Sequence, residues 1–119
     1  MPIEMTDLDR RIWREELEAF VPQRLFDVHV HLSAPEHDLA GADDENIGRP
    51  GEWAEEDLLT IDRADADRVY TALFPGREVH YAGMGWPFPK LDFDGANAFV
   101  ASEMADDPAS AAVMLVHPA

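Results

Sequence analysis

Residues 25–32, LFDVHVHL, alternate apolar and polar side chains with a period of two, which is the period of a β-strand. The apolar residues share one face of this strand: Val28, Val30 and Leu32. The polar residues share the other face: Asp27, His29 and His31. Such a strand requires an apolar core on one side and partners for three polar groups on the other, which limits the folds open to the chain.

Histidines two residues apart on a strand project from one face, about 6.5 Å apart along the chain. Their rings can lean together and place nitrogens about 2.1 Å from one ion. Strands of a parallel sheet are covered on both faces, so a metal bound by His29 and His31 would satisfy groups that are otherwise costly to bury. Asp27 would hydrogen-bond into the site from one layer deeper. Two alternatives stay open: an edge strand with a solvated polar face, or histidines paired with local carboxylates.

The rest of the chain alternates helices with strands. Thr6 is expected to cap a first helix with an apolar stripe formed by Leu8, Ile12, Leu17 and Phe20. The later elements are expected in this order: a loop over 33–52, a helix from Trp53 to about Ala64, a strand over Val69–Phe74, an aromatic loop through Tyr81 and Trp86, a helix capped by Asp92 or Asp94, and a strand over Ala112–Val116. This alternation indicates an α/β fold with parallel strands, in which loops after strands lie on the functional face of a barrel or open sheet.

Composition narrows the classes of function. Lys and Arg total 9 against 25 Asp and Glu, a formal charge of −16, so nucleic acid and anionic membranes are unfavourable partners. The absence of cysteine excludes disulfides and thiolate catalysis, and we expect a cytoplasmic protein. The sequence has no signal-peptide pattern and no apolar run long enough to cross a bilayer.

Three further residues are weaker candidates for substrate contacts. His117 follows the last expected strand, where it could reach substrate or be an ordinary strand-end histidine. Arg77 follows the expected second strand and could pair with a substrate carboxylate, with a surface arginine as the alternative. Trp86 could form a pocket wall or anchor its loop on the core.

Taken together, these residues resemble the amidohydrolase superfamily, and most closely its amidohydrolase-related branch. In that branch the first strand of a (β/α)8 barrel ends in Asp-x-His-x-His, which Asp27, His29 and His31 match. Weaker similarities follow along the chain: the Pro-x-Arg approach within 21–24, the segment 67–75 (DRVYTALFP) as a second strand, Asn97, and Asp107-Pro108 before a third strand.

The resemblance implies one partial domain over residues 1–119, equivalent to about three βα units of a TIM-type (β/α)8 barrel. Residues 1–24 would form a helix and lead-in, and residues 25–119 the first three strands with their intervening helices. The resemblance also implies a divalent metal, zinc first and manganese or iron as alternatives. That metal would activate water for C–N or ester hydrolysis of a small-molecule substrate.

The family's remaining ligands lie on later strands and have no counterpart here, since a full barrel needs about 250 residues. We therefore expect a truncated chain without turnover whose catalytic residues are unknown and whose unfinished sheet promotes self-association. Two alternatives are a metal-dependent decarboxylase of the same family and a small acidic α/β binding module that is not an enzyme.

Overall fold

A computed structural model describes residues 4–39, 60–87 and 90–118 of the chain. Three helices alternate with three strands in these ranges. Their bounds are α1 Asp7–Ile12, β1 Arg24–Leu32, α2 Arg63–Leu73, β2 Glu78–Gly85, α3 Phe93–Met104 and β3 Ala111–Val113. A π-helical turn, Trp13–Leu17, extends α1, and a 3-10 turn, Pro35–His37, follows β1. The expected loop over 33–52 and helix from Trp53 lie mostly outside the described residues.

Each helix begins at a side chain that accepts a hydrogen bond from the backbone of its first turn. Thr6 caps α1 by accepting from the Asp9 amide, as predicted. Asp62 and Asp65 form a reciprocal capping box at the start of α2. Asp92 caps α3 by accepting from the Gly95 amide, so the first of the two expected caps is the one used.

The three strands form one parallel sheet in the order β1-β2-β3. Its core lies between the sheet and helices α2 and α3, and its fully buried cluster comprises Leu32, Ala66, Tyr81, Val100 and Met104. Both helices therefore pack on the same face of the sheet, which we call the helix face. The opposite face, called the open face, carries Phe26, which is 51% exposed, and Val113, which is 38% exposed.

The predicted second strand is wrong: Val69–Phe74 belongs to α2 and the turn that follows it. Its β-branched and aromatic residues favour a strand locally, but the capping box at Asp62 starts a helix whose inward side chains recur every four residues. Ala66 is buried, and Tyr70 packs against the core at the next turn. The similarity of segment 67–75 to a family strand therefore does not hold.

The true second strand, β2, occupies part of the predicted aromatic loop. Gly83 and Gly85 suggested a loop, yet both lie in the strand where α3 and the segment after β3 pack closely against it. A Cβ on Gly83 would lie 3.1 Å from the Met104 sulfur, and one on Gly85 would lie 3.2 Å from a Leu115 methyl carbon. Glycine occupies both positions because neighbouring residues pack closely against the strand there, and not because the chain turns.

The first helix also differs from its prediction. Leu8 and Phe20, two members of the expected apolar stripe, are 54% and 83% exposed, whereas Trp13 is buried against Phe74 with ring centroids 6.1 Å apart. The wider π-helical turn after Ile12 changes which residues share a face, and it turns Trp13 inward. No helix among the described ranges is long and apolar enough to cross a membrane.

Candidate metal centre

The histidines of β1 converge on each other near the C-terminal end of the strand. The Nε2 atoms of His29 and His31 are 3.0 Å apart, and the two ring centroids are 4.8 Å apart. His31 is partly buried, and His29 is exposed. The predicted convergence of the two rings on one face is therefore confirmed.

The neighbouring strand fixes the tautomer of His31. Its Nδ1 lies 3.0 Å from the carbonyl oxygen of Gly85, which can only accept a hydrogen bond, so Nδ1 carries a proton. In the neutral ring, Nε2 of His31 is then an acceptor, and Nε2–H of His29 donates to it. A backbone carbonyl that holds the distal nitrogen of a histidine is a common outer contact of metal ligands.

This geometry fits a shared ion. Two nitrogens that each lie about 2.1 Å from one metal are separated by roughly 3.0 to 3.4 Å for octahedral to tetrahedral angles. A bound cation would take the place of the proton between the two rings. The described part of the chain contains no group of three or more histidine and carboxylate side chains placed to bind one ion, so the site has two protein donors there.

Trp86 packs directly against this pair. It follows β2 by one residue, and its ring centroid lies 4.5 Å from that of His31 at an interplanar angle of 56°. The structure therefore brings Trp86 to the histidines. Its expected role as a pocket wall stays a prediction.

Asp27 does not share the face of the histidines, contrary to the sequence interpretation. In the strand pairing, Asp27 lies opposite Tyr81 and Val30 lies opposite Gly83, so Val28 and His29 together face one residue of β2. This β-bulge reverses the alternation between Asp27 and His29. Val28, expected on the apolar face, is 73% exposed for the same reason.

The carboxylate of Asp27 instead points toward α2 on the helix face. One oxygen accepts from the Tyr70 hydroxyl at 2.7 Å, and the other accepts from the backbone amide of His29 at 2.9 Å. Burial, followed by the hydrogen bond to Asp27, raises the pKa of Tyr70, so its hydroxyl keeps the donated proton. Asp27 therefore touches the site through the backbone of His29, without a contact to either ring.

The other two candidates lie away from the histidine pair. Arg77 precedes β2, whereas the prediction placed it after a strand. It donates to the backbone carbonyls of Glu18 and Val21 and lies over the Trp13 ring at 5.2 Å, so it attaches the N-terminal helix to the sheet. His117 follows β3 and packs edge-on against Phe93, with centroids 5.8 Å apart.

A second histidine cluster was not expected from the sequence. His80 lies in β2, with Nε2 2.8 Å from a Glu78 oxygen and Nδ1 2.9 Å from an Asp107 oxygen. Both nitrogens must donate, so the hydrogen bonds to Glu78 and then Asp107 raise the pKa of His80. Hydrogen bonds from Ser110 and then His80 hold the pKa of Asp107 well below its usual range. Glu78 and His80 alternate with Val79 and Tyr81 at the period of a strand, which could have identified β2. Gly83 and Gly85 favoured the prediction of a loop instead.

A scan against protein-family models, a search of curated proteins and a search of solved structures each returned no match. The resemblance to the amidohydrolases therefore depends on the residues of this chain alone.

Proposed function

We propose that His29 and His31 bind one divalent metal ion, and that the chain is part of a metal-dependent hydrolase of the amidohydrolase type. The proposed metal is zinc, with manganese or iron as alternatives, and the proposed substrate is a small molecule with a C–N or ester bond. Cytoplasmic location is part of the same proposal.

One observation carries this proposal: the 3.0 Å separation of the two Nε2 atoms, with His31 oriented by the Gly85 carbonyl. The tautomer that Gly85 selects leaves the His31 Nε2 without a proton of its own, so its lone pair is available to an ion that displaces the His29 proton. Neither ring is engaged by a carboxylate among the described residues. The pair is thus oriented for coordination before any ion is present.

The architecture is compatible with the barrel part of the proposal. Sequential parallel strands with both helices on one face are the arrangement of a (β/α)8 barrel wall, in which the opposite face lines the interior. His31 pairs with Met84 and therefore lies on the open face, near the C-terminal end of β1. That is where barrel enzymes place catalytic groups.

The chemistry that such an ion supplies is a water molecule acidified enough to attack at neutral pH. The residues of this chain would hold and orient that ion: His29 and His31 as donors, and Gly85 as the acceptor that fixes the His31 ring. Trp86 would exclude water from one side of His31.

The decisive experiment is calorimetric titration of Zn²⁺ into the native chain and into the double variant His29→Ala/His31→Ala. We expect one binding event per chain that the double variant lacks. His117→Ala is the matched control, because it removes an exposed histidine outside the pair and should leave the binding heat unchanged. Equal heats in the native chain and the double variant would end the metal proposal.

A second candidate is an acidic α/β binding module without enzymatic activity. It is favoured by the finding that the described residues supply only two histidine donors for an ion. Assay of metal-loaded chain against simple esters, amides and aromatic carboxylic acids distinguishes the classes. Ester or amide cleavage supports the hydrolase and contradicts the module, and loss of CO2 supports a decarboxylase.

A further inference from the structure

We infer that Asp27 and Tyr70 form a positioning pair that turns His29 toward His31 by holding the β-bulge of β1. As far as metal affinity is concerned, this inference depends on the proposed function. The geometric part, the approach of the two rings, stands without it.

The bulge is what places the two rings side by side on the open face. Upstream of it, Leu25 and Asp27 face the helices, and in a regular strand His29 and His31 would follow them to that face. The extra residue reverses the alternation, so that Val30 and Leu32 pack on the core instead. The histidines are thereby directed to the face that the described helices leave uncovered.

Asp27 stabilises this irregular backbone at its centre. A bulge leaves an amide out of the regular pairing between strands. The Asp27 carboxylate accepts the hydrogen bond of the His29 amide at 2.9 Å, within the two residues that face a single residue of β2. That short-range bond fixes the backbone of the residue whose ring must approach His31.

Tyr70 fixes the carboxylate in turn. Its hydroxyl reaches from α2 to the second oxygen of Asp27 at 2.7 Å, and its ring packs against Tyr81 with centroids 5.4 Å apart. The position of His29 is therefore tied to a helix that makes no direct contact with the histidine rings. Substitution of Tyr70 should change the site without touching a ligand.

The chain offers a matched control for this test. Tyr81 and Asp67 form a second tyrosine–aspartate hydrogen bond, 3.1 Å long, between the sheet and the same helix. Tyr81→Phe removes the hydroxyl of a partly buried hydrogen bond, as Tyr70→Phe does, but the Asp67 carboxylate hydrogen-bonds to Tyr81 and Arg63 rather than to the bulge. A general loss of packing between helix and sheet should affect both variants equally.

The experiment combines two measurements on the full chain. Imidazole ¹⁵N–¹H correlation spectra of the metal-free chain report the tautomers of His29 and His31, and Zn²⁺ titration reports affinity. For Tyr70→Phe we expect altered His29 amide and ring signals and an affinity about 10-fold weaker, and for Asp27→Ala a loss of about 10- to 100-fold. Tyr81→Phe should leave both readouts within about twofold of the native chain. Asp27→Asn, which keeps an acceptor for the His29 amide, should restore affinity to within about threefold.

The outcomes separate this inference from the proposed function. If Tyr70→Phe and Asp27→Ala keep the native ring signals, the positioning pair is overturned, whether or not zinc binds. An equal effect of Tyr70→Phe and Tyr81→Phe also overturns it. If the native chain binds no zinc but Tyr70→Phe and Asp27→Ala, unlike Tyr81→Phe, disrupt the ring signals, the metal proposal fails and the positioning pair stands.

Discussion

Two neighbouring strands carry histidines in opposite situations. His80 of β2 has both nitrogens engaged by carboxylates, those of Glu78 and Asp107. His29 and His31 of β1 hydrogen-bond to each other, and among the described residues only the ring of His31 has a further hydrogen-bond partner, the neutral carbonyl of Gly85. The cluster around His80 neutralises its own charges, whereas no carboxylate of the described residues hydrogen-bonds to either ring of the pair on β1.

This contrast indicates which histidine stabilises the fold. A protonated histidine between two carboxylates is a completed ion cluster, and it joins β2 to the segment before β3. The hydrogen bond between the two Nε2 atoms of His29 and His31 places one proton where a cation can bind instead. We therefore propose that His80 contributes to stability and that His29 and His31 bind a ligand, and the following predictions test that division.

The largest expected effect is on zinc affinity, which should depend on His29 and not on His80. His29→Ala should weaken Zn²⁺ binding by at least about 100-fold, because one of two protein donors is removed. His80→Ala should leave zinc affinity within about threefold while lowering the melting temperature. Calorimetry and thermal unfolding of both variants check this pair of results, and the reverse pattern would contradict the division.

The next effect concerns the stability of the His80 cluster. Asp107 is nearly buried and accepts hydrogen bonds from Ser110, His80 and Arg63. Asp107→Ala removes the carboxylate that pairs with both His80 and Arg63, leaves Arg63 with Asp67 alone among the described residues, and should lower the free energy of unfolding by about 3 kcal/mol. Urea unfolding measures the loss. Asp106→Ala is the control, because that neighbouring residue is exposed and should change stability by less than about 0.5 kcal/mol.

The pH dependence of the same cluster is smaller but more specific. The pKa of His80 is raised above its usual 6.5, so its contribution is complete below that value and is lost as pH rises through the folded-state pKa. Asp107, whose pKa is lowered, loses its contribution only in strong acid. The stability difference between the native chain and His80→Gln should therefore be larger at about pH 5.5 than at about pH 8.5. A difference that grows with pH would contradict the ion cluster.

The smallest effect concerns Trp86. Because its ring packs against His31, zinc binding should change its fluorescence, and Trp86→Phe should abolish that change. The substitution should alter zinc affinity by roughly fivefold at most, since an aromatic contact contributes about 1 kcal/mol. Trp13→Phe is the control: Trp13 is buried against Phe74 in the π-helical turn after α1, so the fluorescence change should persist in that variant.

The sequence predicted the class of fold and the position of the two histidines. The alternation in residues 25–32 was strong enough to identify β1, and Asp92 and Thr6 acted as the helix caps that were expected. The parallel arrangement follows from the alternation of helices and strands. These features depend on local patterns, which a sequence displays directly.

The failures were places where contacts between elements override local preference. Val69–Phe74 has the composition of a strand, but it forms a helix because its inward residues meet the sheet every four positions. Gly83 suggested a loop because the residue that requires glycine there, Met104 of α3, lies 21 residues further along the chain. The bulge that separates Asp27 from the histidines depends on the Tyr70 hydroxyl, which a period-two pattern cannot reveal.

The tight packing around Gly85 links the orientation of the His31 ring to residues on the other face of the sheet. The carbonyl that orients His31 belongs to a residue with no room for a side chain, between Ala96 of α3 and Leu115 beyond β3. Enlarging Ala96 or reshaping Leu115 would shift that carbonyl and rotate the imidazole without altering any residue at the pair itself. Natural variation or laboratory evolution could therefore adjust the geometry of the histidine pair from the far side of the sheet.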